Sequence, residues 1–389
     1  MIQSAPQSIN NGKRLAFLDG LRGVSILCVL LHHCFGPWSV MFHNPAVNSP
    51  FSDRVAFTPP ILFSFLAVQL FFFISGYVIL ITLEKCSGFL DFMRRRWMRL
   101  FPAMLVCSLI VFATASFFHE RPLGAPVISS LLPGLTFIEP QWFAALFHRP
   151  QPILEGAFWS LYAEMRFYVF FGCAYFLLGA RKAIGALIAF YVLGLYIRFM
   201  HSVPLLEANP VWHYAASKLD VVYAKLGGLG LSDSIYYGMF ACGAVFSRYM
   251  ISGKPWLLAL ASVLGLTSGL MLGYNPGLGH VAGGMIMGIA FMCIIPMSCA
   301  IPAARQFFGN RLFVFMGFIS YPLYLVHQNM MVATMIKLRA HAPSLSPVVD
   351  AFLAMGLVIV LGWAIAKYGE PVVKGAIQRA RYRKPSLSS

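Results

Sequence analysis

The chain has 389 residues, 59% of them hydrophobic and only 11% charged, where a soluble domain carries roughly 25% charged residues. Long apolar runs recur from end to end, which excludes a soluble globular enzyme and points to an all-α, polytopic transmembrane bundle; a membrane β-barrel would alternate in segments of about ten residues instead. A net charge of +16 ordinarily raises nucleic acid as a partner, but the basic residues gather where the apolar runs end, and orientation in a membrane accounts for them. No nucleic-acid partner is expected.

Residues 1–14 are polar and read as a cytoplasmic segment. The apolar run that follows lacks a small-residue cleavage site, so it reads as a retained span and not as a removed signal peptide. Ten spans are expected, near 24–42, 60–82, 100–118, 158–179, 183–200, 233–248, 256–273, 278–300, 312–334 and 348–366. Each is within the reach of a helix crossing about 30 Å of hydrocarbon. The stretch GYNPGLGH reads as a tight turn or a break. Lysines and arginines crowd one set of flanks: Lys13, Arg14 and Arg22, then Lys85 to Arg99, Arg181 and Lys182, Arg248 and Lys254, Arg305 and Arg311, and the tail from Lys367 to Lys384. They are sparse on the other, so both termini are expected in the cytoplasm. Residues 15–370 form one transmembrane domain. Residues 371–389 form a basic tail whose end, RARYRKPSLSS, reads as disordered and suited to anionic lipid. Two long outer loops, near 119–157 and 201–232, have the length of functional loops. The eight cysteines mostly lie inside apolar runs without paired spacing, so neither a disulfide framework nor a metal site is expected.

Four stretches carry chemistry. In RGVSILCVLLHH, Arg22 and His33 are eleven residues apart, which puts them on one helix face about 16 Å apart along the axis. His32 points about 100° away. Ionisable groups in hydrocarbon are costly and usually functional, although a snorkelling arginine and a histidine bonded to a neighbouring helix is the plainer explanation for each alone. In DFMRRRWMRLFP, Arg96 and Arg99 share a face at i,i+3, as do Arg95 and Arg99 at i,i+4. One such arginine would be an orientation anchor; the cluster suits several phosphates, which guanidinium groups bind in bidentate fashion. In WSLYAEMRFYV, Ser160, Glu164 and Tyr168 form a polar stripe at i, i+4, i+8, and Glu164 is the one acid expected deep within a span. An interhelical hydrogen bond or ion pair is the structural alternative there. In SYPLYLVHQN, Ser320, Tyr324 and His327 share a face, and Pro322 is placed to kink the span. By span position His33 is central, the arginines are inner, and Glu164 and His327 lie in the outer half.

Together these stretches resemble the acyltransferase 3 family of integral membrane acyltransferases. LDGLRGVSILCVLLHH, FFFISGY, RRRWMRLFP, WSLYAEMRFY, ISYPLYLVH and the terminal YGEP occur in the family's order over most of the chain. Arg22 and His33 fit its arginine–ten residues–histidine motif, and Arg96 with Arg99 its RxxR motif. The resemblance implies an acyl-CoA co-substrate, usually acetyl-CoA, with no tightly bound cofactor. It implies a hydroxyl acceptor on a surface polysaccharide, a lipid-linked sugar or a macrolide. The chain is expected to be the stand-alone membrane domain, without the fused esterase-like domain of some relatives, in a bacterial cytoplasmic membrane.

On this reading Arg22, Arg95, Arg96 and Arg99 hold the donor phosphates, and a neutral His33 is general base to the acceptor hydroxyl. Covalent transfer through His33 stays open. Glu164 and His327 orient the acceptor, while Trp159, Ser160, Tyr168, Ser320 and Tyr324 add hydrogen bonds or a stacking face. A glycolipid flippase or proton-coupled transporter would use intramembrane His and Glu equally well, but the paired repeats many transporters show are not seen in the sequence. A sensory or scaffold protein would leave the arginine cluster unexplained.

Overall fold

The computed structural model describes residues 11–44, 47–202 and 231–382, together with positions 210, 211, 214 and 218. The elements among the described residues are helices, with no strand. Seven are long and apolar enough to cross a membrane: Ala16–Phe35, Ser64–Leu83, Phe89–Thr114, Gly156–Leu178, Pro255–Gly273, Val281–Ser298 and Pro347–Ala380. Helices also occupy the other three expected runs, over Ala180–Ser202, Tyr237–Ser252 and Arg311–His341.

The elements used below are α1 (Asn11–Phe35), α2 (Val68–Leu83), α3 (Phe89–Thr114), α4 (Trp159–Leu178), α5 (Ala180–Ser202), α6 (Tyr237–Ser252), α7 (Pro255–Gly273), α8 (Val281–Ile289), α9 (Arg311–His341), α10 (Pro347–Ala364) and α11 (Glu370–Tyr382). Two of the departures from the expected boundaries have a local cause. The first helix stops at Phe35 instead of running to 42, because Pro37 disfavours helical backbone at the residue before it. The third begins at Phe89 instead of 100, because arginine is a good helix former and the cluster is helical. GYNPGLGH breaks the chain: α7 ends at Gly273, a 3₁₀ turn covers Pro276–Leu278, and α8 starts at Val281. The expected disorder of RARYRKPSLSS gives way to helix as far as Tyr382, where α11 is supported by the Lys374–Glu370 pair at 2.5 Å. Most of the 201–232 loop, like residues 1–10 and 383–389, lies outside the described residues.

The chain divides into two compact units. The first comprises Met1–Ser25, Phe63–Phe92 and Ser160–Val314. Its helices approach at glycines, as membrane helices do where small residues let backbones close up. A Cβ on Gly76 of α2 would sit 2.0 Å from the Phe240 carbonyl oxygen of α6, and one on Gly243 of α6 would sit 1.9 Å from that of Phe73. Beside this reciprocal contact the Phe72 and Phe240 rings stack at 4.7 Å. Gly20 and Gly23 of α1 do the same against the backbone of Phe308 and Phe313.

The second unit comprises Ile26–Leu62, Met93–Trp159 and Phe315–Ser389. Here α9 is the central element. Tyr321 donates its hydroxyl to the Leu100 carbonyl of α3 at 3.1 Å, and Cys107 of α3 donates to the Pro322 carbonyl at 3.7 Å. Cys34 of α1 reaches Met335 Sδ at 3.6 Å. Gly362 of α10 packs closely on Leu323, where an added Cβ would sit 3.0 Å from the Leu323 Cβ. The 119–157 loop is built of short helices, Leu131–Thr136 and Pro140–Phe147, and 3₁₀ turns.

Candidate active site

The site in the second unit begins where α1 ends. Gly36–Pro37 stops the helix just after His33, and the orphaned carbonyls of its last turn find other donors. The Gly36 amide donates to the His32 carbonyl at 2.9 Å, and the buried Trp38 indole donates to the His33 carbonyl at 2.8 Å. The two histidines then face different partners, as their 100° offset requires. His32 is buried, with Nδ1 3.1 Å from the Ile61 carbonyl. His33 is half-buried and packs against His327 of α9, with ring centroids 4.8 Å apart and planes at 78°.

The hydrogen bonds assign the tautomers. His33 Nδ1 lies 2.9 Å from the Val29 carbonyl oxygen, and His327 Nδ1 lies 2.9 Å from that of Tyr324. A carbonyl only accepts, so both Nδ1 atoms carry the proton and both Nε2 atoms are bare. His327 Nε2 sits 3.3 Å from His33 Nδ1 and accepts from it. His33 Nε2 has no hydrogen-bond partner among the described residues. His327 is fully buried, so of the two imidazoles His33 alone presents an open lone pair. This is the arrangement of a general base whose second nitrogen is fixed by an orienting group.

A strap from the loop before α4 secures this part of α9. The Ala157 amide donates to Gln328 Oε1 at 2.7 Å, and the Tyr324 hydroxyl donates to the Ala157 carbonyl at 2.8 Å. Asn329 donates to Glu155 Oε2 twice, from Nδ2 at 2.6 Å and from its backbone amide at 3.2 Å, while its Oδ1 accepts from the Leu123 amide at 3.2 Å. Glu155 is 2% exposed, and its Oε1 has no partner. Burial pushes its carboxyl up to about 7, with the charge of Arg121 and the two Asn329 bonds pulling the other way. Arg121 is itself buried and donates to the Leu154 carbonyl at 2.8 Å.

In the first unit, the stripe expected on α4 forms around Glu164. Its Oε1 accepts from Tyr168 at 2.5 Å and from Ser75 of α2. Tyr168 and Ser160 are buried, and Glu164 is half-buried.

The arginines differ in setting. Arg22 is half-buried and paired to Asp19 one turn earlier at 2.6 Å. On α3, Arg96 is buried, whereas Arg95 and Arg99 are exposed. No hydrogen bond or ion pair holds the Arg99 guanidinium among the described residues.

Residues 15–367 match the family described as an acyltransferase domain, acyltransferase 3. The chain belongs to the acyltransferase 3 family. Within reach of curated proteins, it is 27% identical over 165 residues to an O-acetyl transferase of Shigella phage Sf6, covering 40% of this chain and 50% of that protein. It is also 27% identical over 197 residues to a Bacillus subtilis (strain 168) protein named "Putative peptidoglycan O-acetyltransferase YrhL", covering 45% of this chain and 26% of that protein. The chain thus spans half or less of the length of these relatives. No solved structure matches it.

Of the residues singled out from sequence in this acyltransferase 3 chain, the structure brings His33 and His327 together and joins Glu164 to Tyr168. Ser320 turns its hydroxyl back to the Gly317 carbonyl of its own helix at 2.8 Å, and Trp159 remains partly exposed at the start of α4. Ser75, Glu155, Arg121, Gln328 and Asn329 were not singled out. Gln328 and Asn329 had a signal, since they extend His327 into three consecutive polar residues inside an apolar run. Glu155 had a weaker one, as an acid abutting the start of a span.

Proposed function

We propose that the chain is a membrane O-acetyltransferase that moves an acetyl group from acyl-CoA to a hydroxyl of a glycan, on the cell surface or linked to lipid. Family membership and the names of the two relatives support O-acetyl transfer, and the peptidoglycan relative supports a sugar acceptor. The observation that carries the reading is His33, with one nitrogen proton-bearing and held, and the other bare.

His33 Nε2 takes the proton of the acceptor hydroxyl as the oxygen attacks the thioester carbonyl. The C–S bond breaks, and the departing thiolate takes the proton back from the imidazolium, so the base is restored. Arg22, Arg95, Arg96 and Arg99 hold the CoA phosphates. Glu164 orients the acceptor, with Tyr168, Ser160 and Trp159 beside it. Tyr324 and Ser320, whose hydroxyls bond to carbonyls, support the α9 side, and His327 orients His33. Ten spans, cytoplasmic termini and a bacterial cytoplasmic membrane complete the reading, with donor from the cytoplasmic side.

The test is release of CoA thiol from acetyl-CoA, dependent on a hydroxyl acceptor, by purified protein. His33→Ala is expected to lower turnover by about 10²–10⁴, the usual worth of a general base. His32→Ala, which removes a buried side chain bonded to the Ile61 carbonyl, costs far less. Wild-type turnover in His33→Ala rejects the mechanism. CoA release that ignores the acceptor rejects the transferase reading in favour of a transporter or flippase.

A further inference from the structure

We infer that Glu155 is a positioning residue for the histidine pair, holding one turn of α9 through Asn329 so that His327 stays against His33. The inference rests on the proposed role of His33 as base.

Four hydrogen bonds strap Glu155–Ala157 to α9, and they land on Tyr324, Gln328 and Asn329, on either side of His327. Two of the four end on the single oxygen Glu155 Oε2. The Asn329 amide has one allowed orientation, since Oδ1 must face the Leu123 N–H and Nδ2 must face the carboxyl. The strap sits flush on the helix, because a Cβ on Gly156 would already meet Gln328 Oε1 at 3.0 Å. His327 is tied to the same turn through Tyr324.

The bond this strap protects is the weakest of the group. At 3.3 Å, His327 Nε2 to His33 Nδ1 is near the long limit, and a further few tenths of an ångström ends it. Small slippage of that turn therefore releases the group that orients the base. Glu155 does this as an acceptor, through Oε2, and an acceptor oxygen survives whether the carboxyl is ionised or not.

The test is steady-state CoA release from acetyl-CoA, with a soluble N-acetylglucosamine oligomer as acceptor, on the full chain. Glu155→Gln keeps an acceptor oxygen and is expected to stay within about threefold of wild-type kcat. Glu155→Ala, which removes the acceptor, and Asn329→Asp, which sets carboxylate against carboxyl, are expected to lower kcat roughly tenfold with the acetyl-CoA KM unchanged. The exchange Glu155→Gln with Asn329→Asp keeps the side-chain pair and the Leu123 bond, since the new amide donates to the new carboxylate and Leu123 still finds an oxygen, while the 3.2 Å bond from the residue 329 backbone amide is lost. It is expected to recover part of the lost kcat. A role confined to stability would change yield and melting without a rescue of kcat at constant KM. Wild-type kcat in Asn329→Asp, or an exchange variant no better than Asn329→Asp, overturns the inference; if Glu155→Ala does not fold, these two comparisons decide it. Loss of turnover in His33→Ala alongside wild-type kcat in Asn329→Asp would reject the positioning role and leave the base in place. Wild-type turnover in His33→Ala would remove both.

Discussion

Replacing His327 by phenylalanine asks which of the two imidazoles is the base. The substitution keeps a planar ring of similar size in a fully buried site and removes the acceptor that faces His33 Nδ1 at 3.3 Å. A neutral hydrogen bond is worth about 0.5–1.5 kcal/mol net. His33 Nδ1–H keeps the Val29 carbonyl, so its tautomer persists and only its orientation loosens. The expected fall in kcat is therefore about two- to tenfold, against about 10²–10⁴ for loss of a base. His327→Gln, which still offers an oxygen to His33, should lose less than His327→Phe. The assay is single-turnover transfer from radiolabelled acetyl-CoA, normalised to folded protein, because His327→Phe also strips the Tyr324 carbonyl of the Nδ1–H it now receives. If His327→Phe is as inactive as His33→Ala, the tautomer assignment is inverted and His327 is the base.

Arg99→Ala should raise the acetyl-CoA dissociation constant about tenfold in a binding titration, because the exposed, unengaged guanidinium loses a charge-assisted contact at the lower end of about 1.5–3 kcal/mol. Added salt should narrow the difference, and unchanged donor affinity would return Arg99 to an orientation anchor. Arg96→Ala should instead lower thermal stability as well as donor affinity, since Arg96 is buried. Glu164→Gln should leave acetyl-CoA binding intact while depressing transfer, as two hydroxyl bonds to a carboxylate oxygen become bonds to a neutral amide, at about 1 kcal/mol each; impaired donor binding would show that Glu164 serves the other substrate.

Helical spacing carried much of this. Arg22 and His33 share a face because eleven residues make about three turns, and the Glu164–Tyr168 bond is an ordinary i,i+4 contact. Spacing has no means of showing that His33 meets a histidine 294 residues away, which is why His327 was expected nearer the acceptor than the base. Ser75 is the one serine in the apolar stretch FFFISGY, and nothing local says which helix it faces. The loop over 119–157 was the least legible. Its buried Arg121 and Glu155 follow no period, so nothing in their spacing marks them as buried. The arginine cluster was legible as charge but not as burial: Arg96 is inside and Arg99 outside, although they are one turn apart.

The early stop of α1 has an electrostatic consequence. Peptide dipoles along a helix sum to a partial negative charge at its C-terminal end, felt within the last turn. His33 stands in that turn, two residues before Phe35. In the proposed mechanism, the positive charge that forms on the imidazole meets the negative pole of its own helix, an attraction of about 0.3–1 kcal/mol at an exposed site and up to about 2 where partly buried. Extending the helix to residue 42, as the apolar run alone would allow, would carry that pole almost two turns beyond the imidazole. Gly36 and Pro37 thus end the helix where the proposed mechanism places a transient cation.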